Sequence, residues 1–140
     1  MILSTLPEWF GKPAANAAFV RMAESDLTFV AENVGKPVGI MTLRNQGFAS
    51  LEIGLLAVLP DMQLRGVGGA LINRAASEAR RLDKTYLLVK TLGPSSPNEQ
   101  YARTRGFYYH TGFVAIEETL EIWGPDNPCL YMIRPINAGI

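Results

Sequence analysis

The sequence predicts an α+β fold built on a mixed, mostly antiparallel β-sheet with one central parallel pair of strands. Its length of 140 residues is typical of one domain, so we expect a single domain over residues 1–140. Its 48% hydrophobic and 19% charged residues favour a packed core over disorder. Gly and Pro divide the chain into short segments whose period changes from strand to helix and back. The predicted order of elements is α β β β α β α β β.

The first half of the chain predicts one helix followed by an antiparallel meander. Residues 13–25 are rich in Ala and begin with Pro13, which suits the first turn of a helix. Residues 27–31 and 38–43 predict the two strands of a hairpin, because a turn sequence with Gly and Pro separates them. A third strand is predicted over residues 50–59.

The second half changes period and predicts a crossover. Five apolar residues of the segment 66–82 fall on one helical face: Leu71, Ile72, Ala75, Ala79 and Leu82. The mostly apolar segment 85–92 then predicts a buried strand beside the third one. A strand, a helix and a strand in this order imply a right-handed crossover and a parallel pair.

The rest of the chain predicts one more helix and two strands. The helix runs through Tyr101 to about Thr111, with Asn98 or Ser96 as its cap. The last two strands are predicted over residues 113–122 and 130–133.

Charge and cysteine content exclude several classes of function. The 13 Lys and Arg balance the 13 Asp and Glu, so no excess of positive charge favours nucleic acid. One Cys (Cys129) and one His (His110) exclude an internal disulfide and a Cys/His zinc site. We find no signal peptide and no membrane-spanning segment, and therefore expect a cytoplasmic protein with neither a membrane nor a nucleic-acid partner.

The most informative segment is Gln63-Leu64-Arg65-Gly66-Val67-Gly68-Gly69-Ala70, between a buried strand and a helix start. Glycines let backbone N–H groups converge, and the helix N-terminus adds about half a positive charge. The segment therefore predicts a cradle for an anion, most simply a diphosphate. A dinucleotide fingerprint would need Gly where Leu71 stands, and a P-loop would need Gly-Lys followed by Ser or Thr.

The form Q-x-x-G-x-G of this segment resembles the coenzyme A loop of the GNAT superfamily of acyl-CoA N-acyltransferases. The preceding strand with Glu52, the following helix and the later Phe107-Tyr108-x-x-x-Gly112-Phe113 stand in the family's order, so about residues 27–134 are covered. The resemblance implies a three-layer α/β/α fold whose central parallel strands splay apart to bind coenzyme A. It also implies acetyl-CoA as cosubstrate, direct acyl transfer to an amine, and no metal.

The resemblance implies a set of cofactor-binding residues. Gly54 interrupts its strand, which often marks a bulge, and the family has a bulge there. Strict alternation would place Glu52, Gly54, Leu56 and Val58 on one face. The backbone would line the pantetheine arm at Leu56, Ala57 and Val58. The loop residues expected to bind the cofactor are Gln63, Leu64, Arg65, Gly66, Val67, Gly68, Gly69 and Ala70.

Two residues are candidates for the chemistry. A lone Glu among apolar residues is costly to bury, and Glu52 stands where many family members carry a general base. The alternative is an edge Glu that reaches solvent. Tyr108 stands four residues before Gly112, as the family's thiolate-protonating Tyr does, and the alternative is a core Tyr. Tyr101 replaces an Asn that commonly contacts pantetheine.

The acceptor is the least determined part of the prediction. We expect a small-molecule or peptide amine, for which an acidic cluster (Glu117, Glu118 and Glu121) beside Trp123 is suited, although a solvated strand end explains these residues as well. Trp9 and Phe10 could form an apolar wall of the acceptor site. The sheet either lacks an edge strand or has that edge covered in a homodimer. A non-catalytic coenzyme A-binding regulatory module remains the alternative function. We interpret His110 as a surface residue and Cys129 as a buried strand residue.

Overall fold

The structure, a computed structural model, describes residues 27–63 and 65–136, which form one six-stranded sheet and two helices. The strands are β1 (Leu27–Asn33), β2 (Lys36–Arg44), β3 (Ser50–Val58), β4 (Tyr86–Leu92), β5 (Val114–Thr119) and β6 (Cys129–Pro135). The helices are α1 (Val67–Arg81) and α2 (Glu99–His110), and a 3-10 turn covers Pro60–Met62. The predicted helix over residues 13–25, the residues Trp9 and Phe10, and Leu64 lie outside the described residues.

The strand order β1-β2-β3-β4-β6-β5 confirms the predicted mixed sheet. Among the described strands, only β3 and β4 run parallel, and α1 makes the crossover between them. The predicted strand over 113–122 ends earlier, at Thr119, because the Thr119 hydroxyl accepts a hydrogen bond from the backbone N–H of Glu121 (3.1 Å) and turns the chain. Asn98 caps α2 as expected, since its side chain accepts a hydrogen bond from the N–H of Tyr101 (3.0 Å). Within the described residues, no helix has the length and apolar character that a membrane crossing requires.

Both helices pack on the same face of the sheet, which we call the helix face. The apolar stripe of α1 and Tyr108 of α2 belong to one buried cluster. The strands contribute side chains from one face to that cluster: Met41, Leu43, Leu51, Ile53, Val58, Leu87, Val89, Leu130 and Met132. Residues that alternate with these, including Glu52 and Lys90, therefore lie on the opposite face.

Gly54 forms a β-bulge, as expected. Thr42 pairs with Leu55 and the next residue, Leu43, pairs with Ile53, so Gly54 is an extra residue in β3. Thr42 and Leu43 are neighbours in β2 and point to opposite faces of the sheet. Their partners Leu55 and Ile53 therefore also lie on opposite faces. The predicted alternation through Gly54 is therefore wrong: Leu56 and Val58 pack toward the helix face, whereas Glu52 lies on the opposite face.

The parallel pair separates after this bulge. The pairing between β3 and β4 covers Ser50 to Ile53 and Tyr86 to Val89 and then ends. Both strands continue, β3 to Val58 and β4 to Leu92. The space between residues 54–58 and 90–92 is hereafter the strand gap, and its closed end lies beside Ile53 and Val89.

A close contact between the two helices fixes the start of α1. A Cβ built on Gly68 would lie 2.9 Å from Cζ and 3.0 Å from Cε1 of Phe107, whereas a Cβ on Gly69 would meet nothing within 4 Å. The ring of Phe107 in turn packs against Tyr108, with ring centroids 5.4 Å apart. The absence of a side chain at Gly68 therefore lets α2 approach the N-terminus of α1.

This contact predicts different effects for two neighbouring substitutions. Gly68→Ala should lower the free energy of unfolding by about 1–2 kcal/mol relative to Gly69→Ala, because Phe107 must turn away from the new methyl group. Both variants gain the same helix propensity, so Gly69→Ala is the matched control. Chemical denaturation measures the difference, and equal stability of the two variants would contradict the contact.

Candidate functional site

The register of β2 and β3 determines which backbone groups of β3 face the strand gap. The N–H of Leu59 donates to the carbonyl of Val38 (2.9 Å). Alternate residues of a strand bond the same neighbour, so Leu55 and Ala57 also direct their backbone groups at β2. Leu56 and Val58 direct theirs into the gap, where no described strand pairs with them. The backbone groups of Ala57 are therefore directed at β2 rather than at the gap, and the expected contact of Ala57 with the pantetheine arm stays a prediction.

Two side chains bind the last carbonyls on either side of the gap. Gln63 donates from Nε2 to the carbonyl of Val58 (3.1 Å), and Arg105 of α2 donates from Nη1 to the carbonyl of Leu92 (2.6 Å). The C=O groups at the outer end of the gap are thus satisfied from within the chain. The N–H groups of Leu56 and Val58 also face the strand gap. This arrangement keeps β3 and β4 apart while leaving donors exposed to an inserted molecule.

The N-terminus of α1 lies where β3 ends, at the open side of the gap. Gly66 is the residue before the helix and has a φ of +83°, a left-handed conformation that favours Gly. Gly66 has no side chain that could cap the helix, and the described first turn holds no acidic residue. The first backbone hydrogen bond of the helix runs from the N–H of Ala70 to the carbonyl of Gly66 (3.0 Å).

The N–H groups of Val67, Gly68 and Gly69 therefore lack helical partners. The N–H of Ala70, in contrast, is bonded within the helix, and the expected contact of Ala70 with the cofactor stays a prediction. Arg65 is exposed immediately before the turn and adds a positive charge beside these N–H groups. The loop thus has the donors and the charge of an anion site, and Leu64 lies outside the described residues.

Tyr108 lies on the helix face of the sheet, within the core. Its side chain is 5% exposed and packs edge-on against Phe107 and Phe113, the latter with ring centroids 5.3 Å apart. Burial raises the pKa of Tyr108 well above its ordinary value, and nearby Tyr101 raises it further. Tyr108 therefore keeps its phenolic proton across the physiological range. The adjacent Tyr109 is 52% exposed, consistent with its expected orientation away from Tyr108.

Glu52 lies at the closed end of the gap on the opposite face. β3 is an interior strand, so Glu52 is not the edge residue that the alternative interpretation required. Its side chain is 18% exposed, and Nζ of Lys90 lies 3.5 Å from its Oε2. The surroundings of Glu52 are therefore partly polar, and the side chain is partly solvated.

Lys90 and Arg105 were not singled out from the sequence. One feature of the sequence does distinguish Lys90: it is the one charged residue in strand β4. A lysine in a strand predicted to be buried needs a partner, and the sequence alone does not say that the partner is Glu52. Arg105 carried no such signal because charged residues are common on helix surfaces.

The three residues of the acidic cluster before Trp123 have different surroundings in the structure. Glu118 accepts two hydrogen bonds from Ser95, from its N–H to Oε1 (3.0 Å) and from its hydroxyl to Oε2 (2.7 Å). Glu118 thus fixes the loop that joins β4 to α2. Glu117 and Glu121 are exposed to solvent.

Cys129 and His110 lie where the sequence predicts, in a buried strand and at the surface. Cys129 is fully buried at the start of β6, and burial raises the pKa of its thiol. His110 is exposed at the last position of α2. In the part of the chain that the structure describes, no group of three or more His, Cys, Asp or Glu could hold a metal ion.

Several solved structures share this fold. An IAA acetyltransferase from Bacillus cereus ATCC 14579 is 20% identical, with 96% of this chain and 92% of that chain covered and a TM-score of 0.71. An aminoglycoside 6′-N-acetyltransferase complexed with coenzyme A is 16% identical, with coverages of 96% and 88% and a TM-score of 0.73. Nourseothricin acetyltransferase is 24% identical with a TM-score of 0.68, and the match covers 78% of this chain and 64%, less than two thirds, of that chain.

At sequence identities of 24% or less, these structural similarities show that the fold is shared but do not show the family. The family follows from a comparison of the sequence itself. Among curated proteins, no sequence matches the chain. The family model for the acetyltransferase (GNAT) domain matches residues 24–115, which is more than half of the chain and includes β3, the segment 63–70 and α2. The chain therefore belongs to the GNAT acetyltransferase family.

Proposed function

We propose that this protein is an acetyl-CoA-dependent N-acetyltransferase that acetylates a primary amine of a small molecule or a peptide. The observation that carries the proposal is the strand gap, where β3 and β4 part after Ile53 and Val89 with unpaired N–H groups on one side. The family membership and the similarity in fold to an N-acetyltransferase complexed with coenzyme A support it.

The cofactor would occupy the gap as an additional, extended strand. The pantetheine arm carries amide groups, which can accept hydrogen bonds from the N–H groups of Leu56 and Val58. Its diphosphate would lie on the N–H groups of Val67, Gly68 and Gly69 at the start of α1, beside Arg65. Gln63 acts indirectly here, because it holds the carbonyl of Val58 away from the arm.

The two candidate catalytic side chains lie on opposite faces of the sheet, so they would approach this cofactor from opposite sides. Glu52 lies on the face opposite the helices, so it would take a proton from an ammonium that arrives there. Tyr108 lies on the helix side, so it would donate a hydrogen bond to the sulfur as the thiolate leaves. Its pKa is raised, whereas a free thiol ionises near 8.5. Tyr108 therefore stabilises the thiolate as a hydrogen-bond donor rather than by giving up its proton outright.

The proposal is tested by ligand binding and thiol release together. Coenzyme A at 100 times its dissociation constant should stabilise the protein by about 2.7 kcal/mol, and acetyl-CoA should release thiol with at least one class of amine. Stabilisation without thiol release from any amine would favour the non-catalytic coenzyme A-binding module. Neither stabilisation nor thiol release would contradict both functions.

Glu52→Gln should lower kcat/KM for the amine by about 100-fold, because the amide cannot accept the proton. The affinity for coenzyme A should change little, since Glu52 lies on the opposite face from the cofactor's packing partners. Glu32→Gln removes an exposed carboxylate from the edge strand β1, which has no candidate role in the site, and serves as the control with normal activity. Full activity of Glu52→Gln would remove Glu52 from the mechanism.

Tyr108→Phe should lower kcat by about tenfold, the value of one lost hydrogen bond to a charged sulfur. The ring contacts with Phe107 and Phe113 persist in this variant, so a thermal melt should show a folded protein that still binds coenzyme A. Tyr109→Phe changes the exposed neighbour and should leave kcat unchanged. If both variants retain the kcat of the unmodified protein, Tyr108 is a core residue and nothing more.

A further inference from the structure

A partly buried ion pair lies at the closed end of the strand gap. Nζ of Lys90 is 3.5 Å from Oε2 of Glu52, and the two side chains are 28% and 18% exposed. Glu52 precedes and Lys90 follows the last paired residues, Ile53 and Val89. The pair thus lies on the opposite face at the point where an acetyl group carried into the gap would meet its acceptor.

Lys90 is held loosely between two partners. Among the contacts of the described residues, it has the carboxylate of Glu52 at 3.5 Å and the centroid of the Tyr131 ring at 5.7 Å. Both distances lie toward the long end of the range for such interactions. An ammonium carries three donors, so Lys90 has the capacity to bind a second anion while it stays near Glu52.

The charges around Glu52 disfavour an acceptor that is only positive. Lys90 already places one ammonium beside this carboxylate, at 3.5 Å. Glu117 lies on the same face, but on β5, two strands beyond β4. An ammonium that approaches Glu52 joins that of Lys90, so two positive charges face one carboxylate unless the acceptor brings a negative charge with it.

We propose that the acceptor is an amine that carries its own carboxylate, as in an α-amino acid, and that Lys90 selects it. This inference rests on the proposed function. The ammonium of the acceptor would lie on Glu52 and its carboxylate on Lys90, which matches the close spacing of the two protein charges. Lys90 is a specificity-determining residue in this account, and Glu52 remains the base.

The reaction balances without a further reactant. The acceptor ammonium gives one proton to Glu52, and its nitrogen then attacks the thioester carbonyl of acetyl-CoA. The carbon–nitrogen bond forms first and gives a tetrahedral intermediate, and the carbon–sulfur bond breaks when this intermediate collapses. The second proton of the nitrogen ends on the departing thiolate, so the products are the N-acetyl amino acid and coenzyme A, and Glu52 returns its proton to water.

The test compares amines that differ only in the carboxylate. Thiol release from acetyl-CoA is measured with the twenty protein amino acids, with their carboxamides and with spermidine as a polycationic amine. The best amino acid should exceed its own carboxamide by about tenfold or more in kcat/KM. Lys90→Met should bring this ratio close to one by slowing the amino acid alone, whereas Lys90→Arg should retain a clear preference.

A matched control and defined failures complete the experiment. Lys36→Met changes an exposed lysine at the start of β2 and should leave the ratio unchanged. A preference for carboxamides or spermidine, or an unaltered ratio in folded Lys90→Met, would overturn the inference. If Lys90→Met does not fold, Lys90→Gln provides the same comparison. Acetylation without a carboxylate preference refutes only this inference, whereas the absence of acetylation with every amine refutes the proposed function itself.

Discussion

One extra residue in β3 determines the geometry of the whole site. Gly54 adds a residue opposite the bond between Thr42 and Leu43, and this shifts the pairing of everything that follows it. The shift reverses which side chains of β3 face the helices. Pairing with β4 also ends beside the bulge, at Ile53. The backbone that β4 would have satisfied is therefore presented to the strand gap instead, at a cost in sheet hydrogen bonds that a ligand can recover.

The reversal has a chemical consequence, because it places the proposed base, Glu52, and the proposed hydrogen-bond donor to the thiolate, Tyr108, on opposite faces of the sheet. Without the bulge, Glu52 would share a face with Leu56 and Val58, which pack toward the helices. With it, the carboxylate lies on the opposite face from Tyr108, so a thioester held between the strands, as we propose, would have one of these side chains on each side. We infer that the acceptor enters from one face while the thiol is stabilised from the other. The contact of Phe107 with Gly68 packs the helix of Tyr108 against the proposed diphosphate loop, so one packed unit would hold both ends of the proposed cofactor.

Local patterns predicted the elements well, and long-range pairings account for the errors. The helical stripe after Gly66 and the apolar segment before Leu92 were sufficient for the crossover, since period and order determine it. Gly54 was recognised as a bulge, yet strict alternation was still applied through it, which misplaced Leu56 and Val58 relative to Glu52. The direction of the backbone at Ala57 depends on the register with β2. The Lys90–Glu52 pair depends on the register with β4. Registers of this kind follow from the assembled sheet and are not encoded in the spacing along one strand.

The most direct test of the account is amide hydrogen exchange of β3, residue by residue, with and without coenzyme A. The account predicts that the cofactor slows exchange at Leu56 and Val58, whose N–H groups face the strand gap. Ala57 should exchange slowly in both states, because its N–H already faces β2. Unchanged exchange at Leu56 and Val58 in protein saturated with coenzyme A would show that the cofactor does not enter the gap, and would contradict the central claim.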